Sequence, residues 1–261
     1  TGISYAEICI AAVLPAVMYY VCLFKMVDLE SVRFDLKGLP EDQIPDLKQS
    51  LARGMKLFVP VAVLLIMMIG LKTTPMKAAI WSIAAILVLG FLDKKDRMTI
   101  KGVVDGAVAA AKSLCAVVGA CATAGIVVSV FSLTGLGLKF SNFIVQLGNN
   151  ALIPSLILSM LVCAVLGMGL PTTAAYIVCA TAIAPALTGL GVPVLAANLF
   201  LLYFASLSAI TPPVAVASYA AAGIAEENPV QLGLTAVKLG ITGFILPFAF
   251  ALNPDYYNVP F

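Results

Sequence analysis

The sequence predicts an all-α, polytopic membrane protein, and three observations carry that prediction. Of 261 residues, 62% are apolar and only 11% are charged, whereas a soluble domain carries about 25% charged residues. Mean hydropathy is +1.07. Several apolar stretches are also too short to cross a hydrocarbon layer of roughly 30 Å, and glycine and proline interrupt them, a pattern of re-entrant hairpins and interrupted helices.

Residues 8–24 form the first apolar stretch. Residues 25–56 follow with six basic and six acidic side chains plus Pro40 and Pro45, and read as a surface connection. Residues 57–71 and 78–92 read as two helices, with Lys77 and Trp81 one turn apart as an interfacial anchor. The polar turn 93–101 holds Lys94, Lys95, Arg97 and Lys101. If both helices cross, the two basic connections share a side, and the positive-inside rule makes that side cytoplasmic.

Lys101, Asp105 and Lys112 fall on one helical face opposite Val103, Val104, Ala107 and Val108. That pattern fits a helix lying in the interface and equally an ordinary helix end with a solvated stripe. The remaining apolar stretches are 113–138, 151–170, 172–190, 193–210, 212–225 and 232–252. Residues 212–225 reach only about 21 Å as a helix. The chain divides at this level into 1–112, scaffold-like helices with a cytoplasmic connection, and 113–261, a transport core. It opens on Thr1 without a signal pattern and is read as part of a longer polypeptide.

Composition excludes several functions. Net charge is +2 with no basic block in any span, which gives no support to nucleic-acid binding. There is no histidine, and Cys9, Cys22, Cys115, Cys121, Cys163 and Cys179 lie in apolar text without a CxxC pair. They read as packing residues, so neither zinc nor any other cofactor is expected. Between Ser113 and Ala225 the only charged residue is Lys139. General acid-base catalysis has few candidates there, and the chain is not expected to be an enzyme.

Binding chemistry in that region has to use neutral oxygens, and two motifs combine them with backbone breakers. The first is Gly167-Met168-Gly169-Leu170-Pro171-Thr172-Thr173, where Gly169 and Pro171 disfavour continuous helix. It predicts a hairpin tip near 167–173. The second is Ser206-Leu207-Ser208-Ala209-Ile210-Thr211-Pro212-Pro213, where both prolines lack an amide donor and disfavour helix before them. It predicts a broken helix near 208–213, with carbonyls at Ser208, Ala209 and Ile210 deprived of their helical partners and a new helix starting at Pro212.

Freed carbonyls at membrane depth need protein, water or an ion, and a hard monovalent cation suits them. Sodium candidates are Gly169, Thr173, Ser208 and Thr211, with Thr172 adding a hydroxyl. The positive end of the restarting helix suits a carboxylate. The competing interpretation is that small residues and proline only allow close packing and kinks, which describes a non-transporting membrane scaffold. Elsewhere, Asn198 reads as an interhelical hydrogen-bonding residue, and Lys238 as a snorkelling side chain. Glu226 to Pro229 reads as a solvated loop and helix start. Asn142, Gln146, Asn149 and Asn150 read as the membrane edge.

The text GMGLPTTAAYIVCATAIAPAL at 167–187, NLFLLYFASLSAITPPVAVASYAAAGIA at 198–225 and YAEICIAAVLPAVMYY at 5–20 resembles the large membrane subunit of tripartite ATP-independent periplasmic (TRAP) transporters. The resemblance is to the fused permeases that work with TAXI-type binding proteins. It implies sodium-driven uptake of a small organic anion, a carboxylate, through the bacterial or archaeal cytoplasmic membrane. The implied partners are a periplasmic TAXI-type solute-binding protein, a small membrane subunit, separate or fused, and the lipid bilayer. It also implies an inverted-repeat fold of which this chain holds one half, the C-terminal portion, the first repeat lying elsewhere in the polypeptide. Carried over to this sequence, Gly167, Gly169, Pro171, Thr172 and Thr173 form the hairpin tip. Ser206, Ser208, Ala209, Thr211, Pro212 and Pro213 form the second-repeat break. Asn198 stands where many relatives have histidine.

Overall fold

A computed structural model describes residues 3, 5–36, 38, 47–92 and 97–253, and among them every regular element is a helix. α1 (Tyr5–Arg33) keeps its helix nine residues past the apolar stretch. Its polar end carries i,i+3 ion pairs, Lys25 with Asp28 at 3.8 Å and Arg33 with Glu30 at 3.2 Å, the spacing that places side chains on one face. α2 (Leu47–Leu65) begins inside the expected surface connection and runs into a π turn at Ile66–Gly70. The Thr73 amide and hydroxyl both donate to the Met67 carbonyl, closing that turn.

α3 (Pro75–Leu92) returns beside α2, and the buried Ser82 hydroxyl donates to the Pro60 carbonyl at 2.9 Å. α4 (Ile100–Thr134) is one continuous helix. Lys101, Asp105 and Lys112 are exposed on its first turns, and so are Val104 and Val108 on the other face. α5 (Leu136–Leu147), α6 (Leu152–Leu166), α7 (Thr172–Gly189), α8 (Val194–Leu207), α9 (Val216–Ala225), α10 (Pro229–Leu239) and α11 (Ile241–Leu252) follow among the described residues. Asn228 caps α10 by accepting from the Val230 and Gln231 amides, with proline at the first helical position.

Two compact units can be distinguished. One comprises Val13–Asp28 with the chain from Cys115 onward; the other comprises Gly2–Ala12 with Leu29–Leu114. The first unit is built around α7, whose buried face is Ala174, Ala175, Val178, Cys179, Ala182, Ile183, Ala186 and Leu187. Small side chains let neighbouring helices approach closely where lipid supplies no hydrophobic drive. Ser141 of α5 uses that proximity, donating to the Ala182 carbonyl at 2.9 Å. α8 packs on α11 through rings: Phe204 lies 4.8 Å from Phe200 and 6.0 Å from Phe248, centroid to centroid.

Among the described residues four helices are long and apolar enough to cross a membrane, Tyr5–Arg33, Pro75–Leu92, Ile100–Val130 and Thr172–Gly189, and the bent pair α10–α11 makes a fifth if it crosses as one span. The chain is a multi-pass membrane protein. Residues 232–252 read as one stretch in sequence, whereas the structure bends by 41° between α10 and α11. The bend falls at a glycine that caps α10 and packs closely on distant residues. A Cβ at Gly240 would lie 3.3 Å from Ile210 Cδ1, and one at Gly243 would lie 3.0 Å from both Leu207 and Tyr19. The bend thus seats α8 and Tyr19 where only glycine leaves room.

Candidate functional site

α6 ends at Leu166, and residues 167–171 turn the chain before α7 begins at Thr172. The turn is local: the Met168 amide bonds to the Val165 carbonyl and the Leu170 amide to the Gly167 carbonyl. Gly169 sits at φ +72°, in the left-handed region that costs an L-residue roughly 1–2 kcal/mol. Pro171 precedes α7 with φ −57° and ψ 143°, and no side chain caps that helix. Its first amides are therefore open to an acceptor, and Thr172 and Thr173 beside them are exposed.

α8 ends at Leu207, and helix resumes only at Val216, four residues later than the prolines alone suggest. Pro213 excludes helical dihedrals at Pro212, and residues 212–214 form a turn whose Pro212–Pro213 peptide bond is cis. The carbonyls that lose helical partners are paired in other ways. Those of Ser208 and Ala209 accept from the amides of Thr211 and Ala217, and that of Ile210 faces the Ser218 hydroxyl at 3.5 Å. Tyr219 donates its hydroxyl to the Pro213 carbonyl. Each carbonyl has a second lone pair, so this pairing holds the loop in shape and still leaves acceptor capacity. One α9 amide, that of Ala217, is directed back to Ala209, and α9, like α7, has no side-chain cap.

The two breaks meet. The Ser208 hydroxyl lies 3.1 Å from the Gly167 carbonyl oxygen and 2.7 Å from that of Ala205. A Cβ at Gly167 would sit 2.6 Å from Ser208 Oγ, so the contact requires glycine. Val214 closes over Gly169, with Cγ1 3.7 Å from where a Cβ would be, and Pro212 faces Gly233 of α10. Thr211, half-buried, donates to the Leu207 carbonyl at 2.7 Å.

Ser206 is not brought to this junction. Two residues before Ser208, it points to another side of α8, donates to the Leu202 carbonyl, and lines a cavity of about 320 Å³ with Tyr19, Leu202, Tyr203, Leu207 and Ile210. Asn198 bridges helices, accepting from the Tyr176 hydroxyl of α7 at 2.8 Å and donating to the Val194 carbonyl. Sequence reasoning missed Tyr176, Ser218 and Tyr219. The last two carried a usable signal, because they are hydroxyls in otherwise small, apolar text just after a double proline.

A family model described as "Tripartite ATP-independent periplasmic transporter, DctM component" matches residues 1–256. No curated protein and no solved structure matches the chain.

Proposed function

We propose a transport role from one premise: the chain belongs to the DctM component family of tripartite ATP-independent periplasmic transporters. Membership makes it a membrane permease of such a system, working with a periplasmic binding protein and a small membrane subunit. Beyond that, we infer that it couples sodium entry to uptake of a small organic carboxylate across the cytoplasmic membrane. The donor of the solute would be a TAXI-type binding protein. Residues 113–261 act as the transport core and 1–112 as scaffold.

The observation that carries this reading is the meeting of two helix breaks in a region with a single charged residue. Gly169, Thr173 and Thr211 offer neutral oxygens to sodium, and the uncapped N-terminus of α7 offers amides and a positive dipole end to the carboxylate. Interrupted helices that expose such ends are the usual sites of secondary transporters. The internal pairing of the carbonyls at 208–210 favours a second reading, a non-transporting membrane scaffold whose kinks only shape packing.

One experiment separates the two. Proteoliposomes holding the permease with its small subunit and binding protein are expected to lose uptake when sodium is replaced by potassium at fixed membrane potential. Uptake that continues unchanged excludes sodium as the coupling ion, and absence of uptake in any salt supports the scaffold. In the same vesicles Thr211→Val should raise the sodium concentration at half-maximal uptake several-fold, roughly the worth of one ligand bond. Equal loss of sodium response and of folded protein would make Thr211 structural.

A further inference from the structure

The hydroxyl at Ser208 has one proton and two carbonyl oxygens within reach, Ala205 at 2.7 Å on its own helix and Gly167 at 3.1 Å across the junction. The side chain is 2% exposed. Gly167 is pressed close against it, since a Cβ there would stand 2.6 Å from Ser208 Oγ and 2.9 Å from Ser208 Cβ. A cation needs room for several oxygens around it, and this buried oxygen is already engaged by two carbonyls and crowded by Gly167. The bond to Gly167 nevertheless ties the 167–171 turn to the 208–215 break, two segments joined in sequence only through the whole of α7 and α8.

We propose that Ser208 is a positioning residue and not a sodium ligand: it latches the hairpin tip onto the helix break through the Gly167 carbonyl. The inference rests on the proposed function for its purpose, because the tip carries Gly169, Thr173 and the open end of α7. With the proton on Gly167 the tip is held. With the proton on Ala205 the tie is released at little cost, since the hydroxyl stays satisfied. Ser208 thus sets how often the tip parts from the break, which a ligand buried in one fixed geometry would not do.

The test compares sodium-free states, in which a ligand's role is silent and a latch's is not. Amide hydrogen exchange is measured by mass spectrometry on the complete permease in lipid nanodiscs, in potassium salt without sodium or solute. Ser208→Ala is expected to speed exchange about three- to tenfold in peptides covering 167–173 and 208–217, the range of one net hydrogen bond, and to leave peptides of α10–α11 unchanged. Ser208→Cys, of similar volume and a poorer donor, is expected to fall between Ala and the parent, and carries the test if the alanine variant does not fold. In sodium titrations of the same samples the half-saturating concentration should move by no more than a few-fold.

Unchanged sodium-free exchange would overturn the latch whatever the sodium titration shows, and a large loss of sodium affinity beside it would make Ser208 a ligand. Faster exchange spread over the whole α6–α11 region would reduce Ser208 to general packing and overturn it equally. Because the decisive measurement contains no sodium, it succeeds or fails independently of whether sodium drives uptake.

Discussion

Gly167→Ala is expected to lower uptake by at least about tenfold at equal abundance in the membrane. The new Cβ would lie 2.6 Å from Ser208 Oγ, 2.9 Å from Ser208 Cβ and 3.0 Å from the Cys163 carbonyl oxygen. Ser208 Oγ can rotate aside, but Ser208 Cβ and the Cys163 carbonyl are fixed to the backbone, so the turn or α8 must shift. Forcing one carbon into a filled space costs roughly 1–3 kcal/mol, and about 1.4 kcal/mol is already a factor of ten. Gly169→Ala is a useful contrast: the position is roomy, its nearest neighbour being Val214 at 3.7 Å, but φ is +72°, so its cost is conformational. Combining Gly167→Ala with Ser208→Gly removes the two closest clashes and should restore part of the lost uptake, while Ser208→Gly should not help Gly169→Ala. Uptake by Gly167→Ala at the parent rate, or a pair no better than the single variant, would show that the two breaks do not pack as described.

That contact also marks the limit of what the sequence discloses. Both breaks were legible because their causes are local: Gly169 and Pro171 stop one helix, and Pro212 with Pro213 stop another. The start of α10 was legible for the same reason, from Asn228 and Pro229. The late restart at Val216 was not, because it depends on the Ala209 carbonyl taking the Ala217 amide eight residues on. The close seating of Gly240 and Gly243 on Ile210, Leu207 and Tyr19 was not legible either, because those neighbours lie in distant parts of the chain. The meeting of Gly167 with Ser208, forty-one residues apart, has no local signature in either motif. Each motif announced that it was broken, and neither announced its partner.

Phe204→Ala is expected to cost about 3 kcal/mol of stability, the lower end of the roughly 3–5 kcal/mol seen when buried phenylalanines are truncated. The lower end applies because lipid is as apolar as the protein interior, so the loss is one of packing and not of transfer from water. Phe204 is 1% exposed and touches Phe200 of its own helix and Phe244 and Phe248 of α11, at centroid distances of 4.8, 6.2 and 6.0 Å. Its carbonyl accepts the Ser208 amide in the last turn of α8. The cluster therefore fixes α8 against α11 one turn before the break, and truncation should loosen the break as well as the core. Thermal unfolding in detergent should show Phe204→Leu, which retains most of the volume, at well under half that loss. Phe58→Ala on α2, 66% exposed, should fall within about 0.5 kcal/mol of the parent, as surface changes do. If Phe58→Ala destabilised as much as Phe204→Ala, the rings on α8 and α11 would not be the packing that holds the break. The break would then have to be supported by residues other than those facing it here.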